Sequence, residues 1–490
     1  MAPGGPPSII LLVNTNRIQP PIGPLGLEHV ASSLLAAGEQ VEILDLGLAD
    51  DWRRVVRAGL AGREPEVVGL TFRNADDSFW PSATWFVPLL LDIILEIRKA
   101  SAAPLVLGGS GFSIFPEDTL AYTGADYGIA GDGEGAFGAL LGSLRRTRGK
   151  PGYEVLSTVP GLVWRDGRRF HRNAAHWPPY PDSAVRRDLV DNVAYLRLGA
   201  QIGLETKRGC PRRCVFCADG LAKGDASRLR PPGRVADEAA SLLALGIDVL
   251  HLCDAEFNQP LGHALAVCEQ LASRGLGEKI RWYAYLSVTP FPAELAAAMR
   301  RAGCAGINFT GVSGSDAMLV ALGQPHRMTD LAAAIRTCHE HEIAVMVDLM
   351  LGALGETPQT VAEGIEAIKL AGPDCCGAAL GVRLYPGLPL AAEVAHEAPL
   401  GGHPGIMRRY DGPVDLFKPT FYISPALGPR PAAAVRKAIA GDQRFFPPGD
   451  LREAYAAELR GHNYNENVPL QRAIAAGGRG AYWDILRRQG

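Results

Sequence analysis

The segment RGCPRRCVFCADG sets Cys210, Cys214 and Cys217 on one loop with C-x-x-x-C-x-x-C spacing. Thiols this close in sequence suit metal chemistry, because thiolates bind zinc and iron-sulfur clusters. Structural zinc draws four ligands from paired clips, and the nearest histidine, His251, has no companion at clip spacing, so zinc is the lesser reading. Lys207, Arg208, Arg212 and Arg213 flank the loop, and neighbouring cations favour the thiolates that a cluster requires. Three protein ligands on a four-iron cluster leave one iron open to a cofactor or substrate. The other cysteines, Cys253, Cys268, Cys304, Cys338, Cys375 and Cys376, fall in apolar strands or helices and read as small buried hydrophobes.

The loop, with the apolar strand before it and Phe216 ahead of its third cysteine, resembles the radical S-adenosylmethionine (SAM) superfamily over residues 200–395. The resemblance implies a 4Fe-4S cluster on Cys210, Cys214 and Cys217 whose free iron chelates the amino and carboxylate groups of SAM. It implies further SAM contacts from Phe216, from Asp254 and Glu256 in DAEFN, and from Asn308, Ser313 and Arg383. GALGET, residues 352–357, is similar to the Gly-Pro-Gly-Glu-Thr turn of the superfamily. At one position the pattern departs: Val312 stands where relatives carry a glutamate, so Asn308 or Thr310 takes that polar duty or the contact is absent. No general base stands out. Tyr283, Tyr285, Asp348 and Tyr385 lie on strands that could line a cavity, although core or hydrogen-bonded strand positions are the commoner fate of such residues.

The elements that must position these residues follow from the apolar pattern. Before residue 140, the runs SIILLVN, QVEILDLG, EVVGLTFRN, APLVLGGSG and ADYGIAGDGE alternate with helical stretches, which predicts a doubly wound, Rossmann-like parallel sheet. Such sheets bind ligands at the carboxyl ends of their strands, here NTNR, FRNADD, GGSGFS and GDGEG. Residues 7–145 resemble the cobalamin-binding domain of the cobalamin-dependent branch of the superfamily. That likeness implies cobalamin contacts from Asn14, Asn16, Arg17, Arg73, Asn74, Gly108, Gly109, Ser110, Gly111, Gly131 and Glu134. The corrin would lie on the sheet edge, with its tail passing glycines that offer no side chain to obstruct it. No Asp-x-His-x-x-Gly loop is present, and His29, the one histidine before residue 150, lies in a predicted helix over 25–37 and reads as a helix-face residue. Cobalt is therefore expected without a histidine ligand. TFRNADDSF and LVNTNRIQPP resemble the corresponding loops of the thiopeptide tryptophan 2-C-methyltransferases. Arg73 would then be a cation beneath cobalt; the alternative is a surface pair with Asp76 or Asp77.

Residues 150–200 suggest a hairpin around Asp166-Gly167 and a proline-rich linker, WPPYPDSAVRRD. From residue 202 six further strand-helix units predict a partial (β/α)6 barrel, whose active site belongs at the carboxyl ends of the strands. The expected organisation is a cobalamin domain over 1–148, a linker over 149–199, a barrel over 200–398 and a mainly helical capping region over 399–490. Within the last, the polar stretch HNYNENVPL either caps the substrate pocket or forms a solvated connection.

The bulk properties agree with an enzyme of this kind. A chain of 490 residues implies two or three domains, and 47% hydrophobic with 21% charged residues is an ordinary globular balance. Lys plus Arg (49) against Asp plus Glu (52) gives −3 without charge blocks, which points away from nucleic-acid and membrane partners. The start of the chain lacks a basic region before its apolar run and reads as a strand rather than a signal peptide. WFVPLLLDIILEI is short for a membrane span and is broken by Pro88, Asp92 and Glu96. Nine cysteines without a secretory signal suggest a reducing cytoplasm. The reading that results is a monomeric SAM- and cobalamin-dependent C-methyltransferase acting on a small metabolite or natural-product intermediate. It would be supplied with electrons by a flavodoxin or ferredoxin, and methyl transfer by a radical or by a polar route is open at this point. The alternatives are a rearrangement, cyclisation or ring contraction using the same cofactors, or a non-catalytic carrier or sensor.

Overall fold

A computed structural model describes residues 9–181, 183–449 and 463–489. The first five apolar runs become parallel strands: β1 (Ile9–Asn14), β2 (Gln40–Asp45), β3 (Val67–Thr71), β4 (Leu105–Gly108) and β5 (Tyr127–Ile129). Their order, 2-1-3-4-5, is that of a doubly wound sheet with its switch point between β1 and β3. Val13, Val68, Leu70 and Leu107 bury against helices on one face, while Ile10, Leu12, Val67 and Val106 do so on the other, so these strands read as nearly continuous apolar runs.

The hairpin around Gly167 forms as β6 (Leu162–Asp166) and β7 (Arg169–Arg172). It does not belong to a linker, however. β6 pairs antiparallel with β5 and extends the first sheet, so a boundary at residue 148 would cut that sheet in two.

The second sheet holds the six expected strands, Ile202–Leu204, Val249–Leu252, Arg281–Leu286, Cys304–Val312, Ala344–Leu351 and Cys375–Leu380, all parallel and in sequence order. A short seventh, Phe445–Phe446, joins beyond the sixth from the region expected to be only a helical cap. That region also completes a three-stranded sheet of Val382–Arg383, Ile406–Arg408 and Thr420–Tyr422. Its last helix, Tyr482–Arg487, closes one end of the barrel. There Trp483 and Leu486 pack with Tyr283 and Met346, and the Tyr283 hydroxyl donates to Asp484 at 2.7 Å.

Buried ion pairs join the two sheets. Arg187, just past the proline-rich stretch, lies between Glu28 of the first helix (3.1 Å) and Glu238 of the barrel (2.5 Å). Arg383 from the end of the barrel reaches Asp76 in the β3 loop at 2.9 Å. Each pair is sealed from water, so removing one partner would strand a buried charge.

Candidate active site at the domain junction

The cysteine loop springs from a two-residue ladder in which Arg208 faces Arg228. Gly209 turns with φ +81°, and a Cβ there would meet the Ala226 carbonyl at 2.1 Å, so the turn demands glycine. Cys210 is buried, whereas Cys214 and Cys217 are partly covered. Burial, and then Asp219, pushes the Cys217 thiol up to about 12, and burial raises Cys210 as well. Lys207 does favour the Cys210 thiolate, but burial outweighs it, and the donors of Lys207, Arg208 and Arg212 are engaged elsewhere. Lys207 reaches the Ala255 carbonyl, Arg208 reaches Glu134 and Glu205, and Arg212 reaches the Thr289 carbonyl. A bound metal, rather than these side chains, must hold the sulfurs ionised. Among the described residues no three His, Cys, Asp or Glu side chains converge on a single ion.

Asp254 differs from its expected role. It accepts from the Thr206 amide (2.8 Å), the Thr206 hydroxyl and the Lys207 amide (3.2 Å), which anchors the entry of the cysteine loop instead of presenting a carboxylate to SAM. Glu256 fits its expected role better. It sits at φ +59°, takes the Thr310 hydroxyl on Oε1 at 2.8 Å and keeps Oε2 buried without a hydrogen-bond partner, close enough to Cys210 to raise that thiol. Thr310 thus supports a carboxylate from the second strand near the position where Val312 lacks one. Val312 itself lies at φ +63°, a strained state for a β-branched residue. Asn308 is buried with Oδ1 unpartnered, Ser313 accepts from the Ser315 amide, and Phe216 packs beside Val312. Arg383 is displaced from its expected role, since Asp76 and the carbonyls of Leu384, Thr420 and Leu416 occupy its donors.

At the carboxyl edge of the first sheet are two cavities. The larger, about 610 Å3, is lined by Asn16, Arg17, Arg73 and Asn74 from the first domain, by Ala378 to Leu380 of the barrel, and by Asn463, Asn465, Glu466 and Asn467. The polar C-terminal stretch is therefore a cap: Asn463 donates to Ser82 at 3.0 Å, and the Glu466 amide to the Gln19 carbonyl at 2.9 Å. His462 lies outside the described residues. The smaller cavity, about 180 Å3, is a slot among Gly69, Gly108, Gly109, Ser110, Gly131, Asp132 and Glu134. A Cβ on Gly69 would run into Leu12 at 2.7 Å and one on Gly109 into the Phe72 carbonyl at 2.7 Å, so packing requires glycine at both, whereas one on Gly108 would meet nothing closer than the Ile129 carbonyl at 4.0 Å. Gly111 instead lets its helix pack on the β3 loop, where a Cβ would meet the Ala75 amide at 2.9 Å. Two expected contacts are committed internally. Asn14 bonds Asp45 and Tyr195, and Arg17 donates to the Leu46 and Ala49 carbonyls at 2.6 and 2.7 Å.

Arg73 is not paired with Asp76 or Asp77. Asp76 holds Arg383 and Asp77 holds Ser82, and Arg73 touches only Asn74 at 2.9 Å. Its surface is accessible, yet burial lowers its pKa, with Cys253, Tyr482 and Tyr285 near enough to act on it. Both observations hold if that surface faces an enclosed chamber between the domains. Tyr285, 36% exposed, and Cys253, also exposed, are two of the groups that act on Arg73. Cys253 is thus not the inert core thiol its sequence suggests. His251 lies edge-on to Tyr285 at 5.6 Å, and burial and then Arg73 lower its pKa to about 4. Asp348 and Tyr464 adjoin Tyr285, and Tyr464 packs edge-on to Tyr482 at 5.6 Å. Of the four general-base candidates, Tyr285 and Asp348 remain at the chamber. Tyr283 is locked to Asp484 in the barrel floor, and Tyr385 is wedged between Ser78 (3.1 Å) and Phe115. Sequence reasoning missed Tyr464 and Tyr482, which lie far along the chain from the strands they approach.

Two family models match the chain, the B12 binding domain over residues 11–141 and the radical SAM superfamily over residues 204–368, and these matched segments meet at the chamber. The chain belongs to the cobalamin-dependent radical SAM enzymes. It is 29% identical to the tryptophan 2-C-methyltransferase of Streptomyces laurentii, over 79% of this chain and 74% of that one. The radical SAM methyltransferase TsrM of Kitasatospora setae, solved with tryptophan substrate and a SAM analogue, matches with a TM-score of 0.90 at 29% identity, over 98% of this chain and 97% of that one. OxsB, another cobalamin-dependent SAM radical enzyme, shares the fold at 18% identity and a TM-score of 0.69, over 85% of this chain and 64% of that one. This cobalamin-dependent radical SAM enzyme is therefore of the methyltransferase type, with a 4Fe-4S cluster, SAM and cobalamin as its cofactors. Its residues fit those groups: three thiols on one tight loop, a buried carboxylate oxygen on Glu256 awaiting a partner, and a glycine-walled slot.

Proposed function

We propose that this enzyme transfers a methyl group to a carbon of a planar aromatic acceptor, an indole such as that of tryptophan. One observation carries the reading: Arg73 of the first domain lines the cavity at the domain junction and lies near enough to Tyr285 and Tyr482 of the second to act on their charge. When bound, cobalamin supplies the metal that carries the methyl group from SAM, and the cluster supplies the iron that chelates SAM. Cys210, Cys214 and Cys217 hold the cluster, while Glu256, Asn308, Ser313 and Phe216 contact SAM. Asn16, Arg73 and Asn74 border the corrin, and the slot past Gly108, Gly109, Ser110, Gly131 and Glu134 takes its tail. Arg73 would place a cation beside the bound corrin. Tyr285, Tyr464 and Tyr482 offer ring faces and edges to a flat acceptor, and Asp348 beside them is the group we assign to hold its proton. The Asn463 to Asn467 cap and the barrel floor exclude water from the reacting groups.

The chain acts as a monomer in the cytoplasm and draws electrons from an external carrier; among the described residues no helix is long and apolar enough to cross a membrane. The carrier meets an open groove formed by Arg212, Arg213, Thr289 and Pro290, where Gln324 donates to Cys214 Sγ at 3.3 Å. An acidic flavodoxin or ferredoxin face complements the two arginines.

The test is an anaerobic assay of the protein reconstituted with iron, sulfide and hydroxocobalamin, given SAM and a panel of indoles. The proposal expects one S-adenosylhomocysteine for each acceptor that becomes one methyl group heavier. An acceptor that rearranged without gaining a methyl group would refute it.

A further inference from the structure

The slot and the cysteine loop share a wall. Barrel residues Glu205, Arg208, Ala222 and Lys223 complete the slot opposite its glycines, and Ala222 and Lys223 lie in the stretch between Cys217 and Arg228. At the base of the loop Arg208 and Arg228 face each other across the ladder, a like-charge pairing that needs compensation. The first domain supplies it. Glu134 accepts from Arg208 at 2.6 Å, and Asp132 accepts from both terminal nitrogens of the Arg228 guanidinium and lies 3.4 Å from Arg208. Asp132 stands at the N-cap of the helix Gly133–Arg146 yet makes no capping bond, which leaves its carboxylate for the loop. Glu205 holds Arg208 from the other side at 2.9 Å, Tyr180 lies under that guanidinium at 4.9 Å, and Arg228 also grips the Lys223 carbonyl at 2.8 Å.

We propose that Arg208 and Arg228, clamped by Asp132 and Glu134, are positioning residues that couple occupancy of the tail slot to retention of the cluster. The inference rests on the cofactor reading above. A tail filling the slot backs Lys223 and fixes the acids, and the acids fix the two arginines from which the loop springs. The same contacts make the loop a wall for the tail. By linkage each ligand strengthens equilibrium binding of the other.

The experiment follows iron loss to an added chelator from the reconstituted full chain, alone, with hydroxocobalamin, and with cobinamide, which keeps the corrin and lacks the nucleotide tail. Hydroxocobalamin should slow iron loss by about fivefold or more, the lower range of allosteric coupling, and cobinamide should leave it unchanged. Hydroxocobalamin should also bind cluster-loaded protein more tightly than cluster-free protein. Equal protection by both corrinoids, or protection by neither while both bind, would overturn the coupling. In the R228Q variant, whose side chain is not part of the slot lining, both cofactors should still bind with the coupling reduced, and persistence of the full coupling would equally overturn it. Failure of hydroxocobalamin to bind, read from its absorbance, would overturn the cofactor reading and this inference together.

Discussion

Cys217 lies where burial raises its thiol to about 12, so its ionised form must come with the metal. Replacing Cys214 by Ala should therefore abolish the visible iron-sulfur absorption and S-adenosylhomocysteine formation, while cobalamin still binds; titration of both chromophores checks this. Arg73 presents the one cation that the β3 loop aims at the chamber. R73A should lower the methyl-transfer rate by about 100-fold, the scale for losing one preorganised electrostatic contact, with single-turnover kinetics at saturating cobalamin as the measurement. The cysteine reading came from residue type and spacing, and the Arg73 reading from the likeness of its loop to relatives. Those of Asp254 and Arg383 were not, because a motif names a residue without saying which neighbour takes its hydrogen bonds. Asp254 turned to the Thr206 and Lys207 amides and Arg383 to Asp76.

Among the elements, the barrel strands and the doubly wound sheet were readable because their apolar runs are buried on both faces. The hairpin at Gly167 was readable as a hairpin, but its pairing with β5 was not, since strand partners at this separation leave no local signal. The C-terminal helix over Tyr482–Arg487 likewise gave no sign that it would close the barrel floor under Tyr283. The junction between elements depends on Arg187, held between Glu28 and Glu238. R187A should destabilise the protein by about 3–5 kcal/mol, the cost of stranding buried charges, seen as a lower denaturant midpoint. At the mouth of the cysteine loop, D254A should weaken iron retention by about 10-fold or more, as loss of a ligand-orienting partner does. Iron release to a chelator reads that directly.

Across the whole molecule the two domains are held by buried charge as well as by apolar packing, and this gives stability a pH dependence. His29 is buried beside Tyr180 and Glu205 rather than lying on an open helix face. Burial and then Arg208 lower its pKa to about 3 from an unfolded value of 6.5. The unfolded chain therefore binds a proton that the folded chain refuses. Stability is unaffected above pH 6.5 and falls as the pH drops from 6.5 toward 3, by about 1.4 kcal/mol per pH unit from this group. H29Q should show a shallower loss than the unaltered protein over that window in denaturant unfolding. The central claim is that one chamber brings both cofactors to one acceptor. Its most direct test supplies methyl-labelled SAM and tryptophan to protein carrying the cluster and cobalamin, and to protein carrying the cluster alone. The account predicts label on an indole carbon, with matching S-adenosylhomocysteine, only when both cofactors are present; labelled product without cobalamin would contradict it.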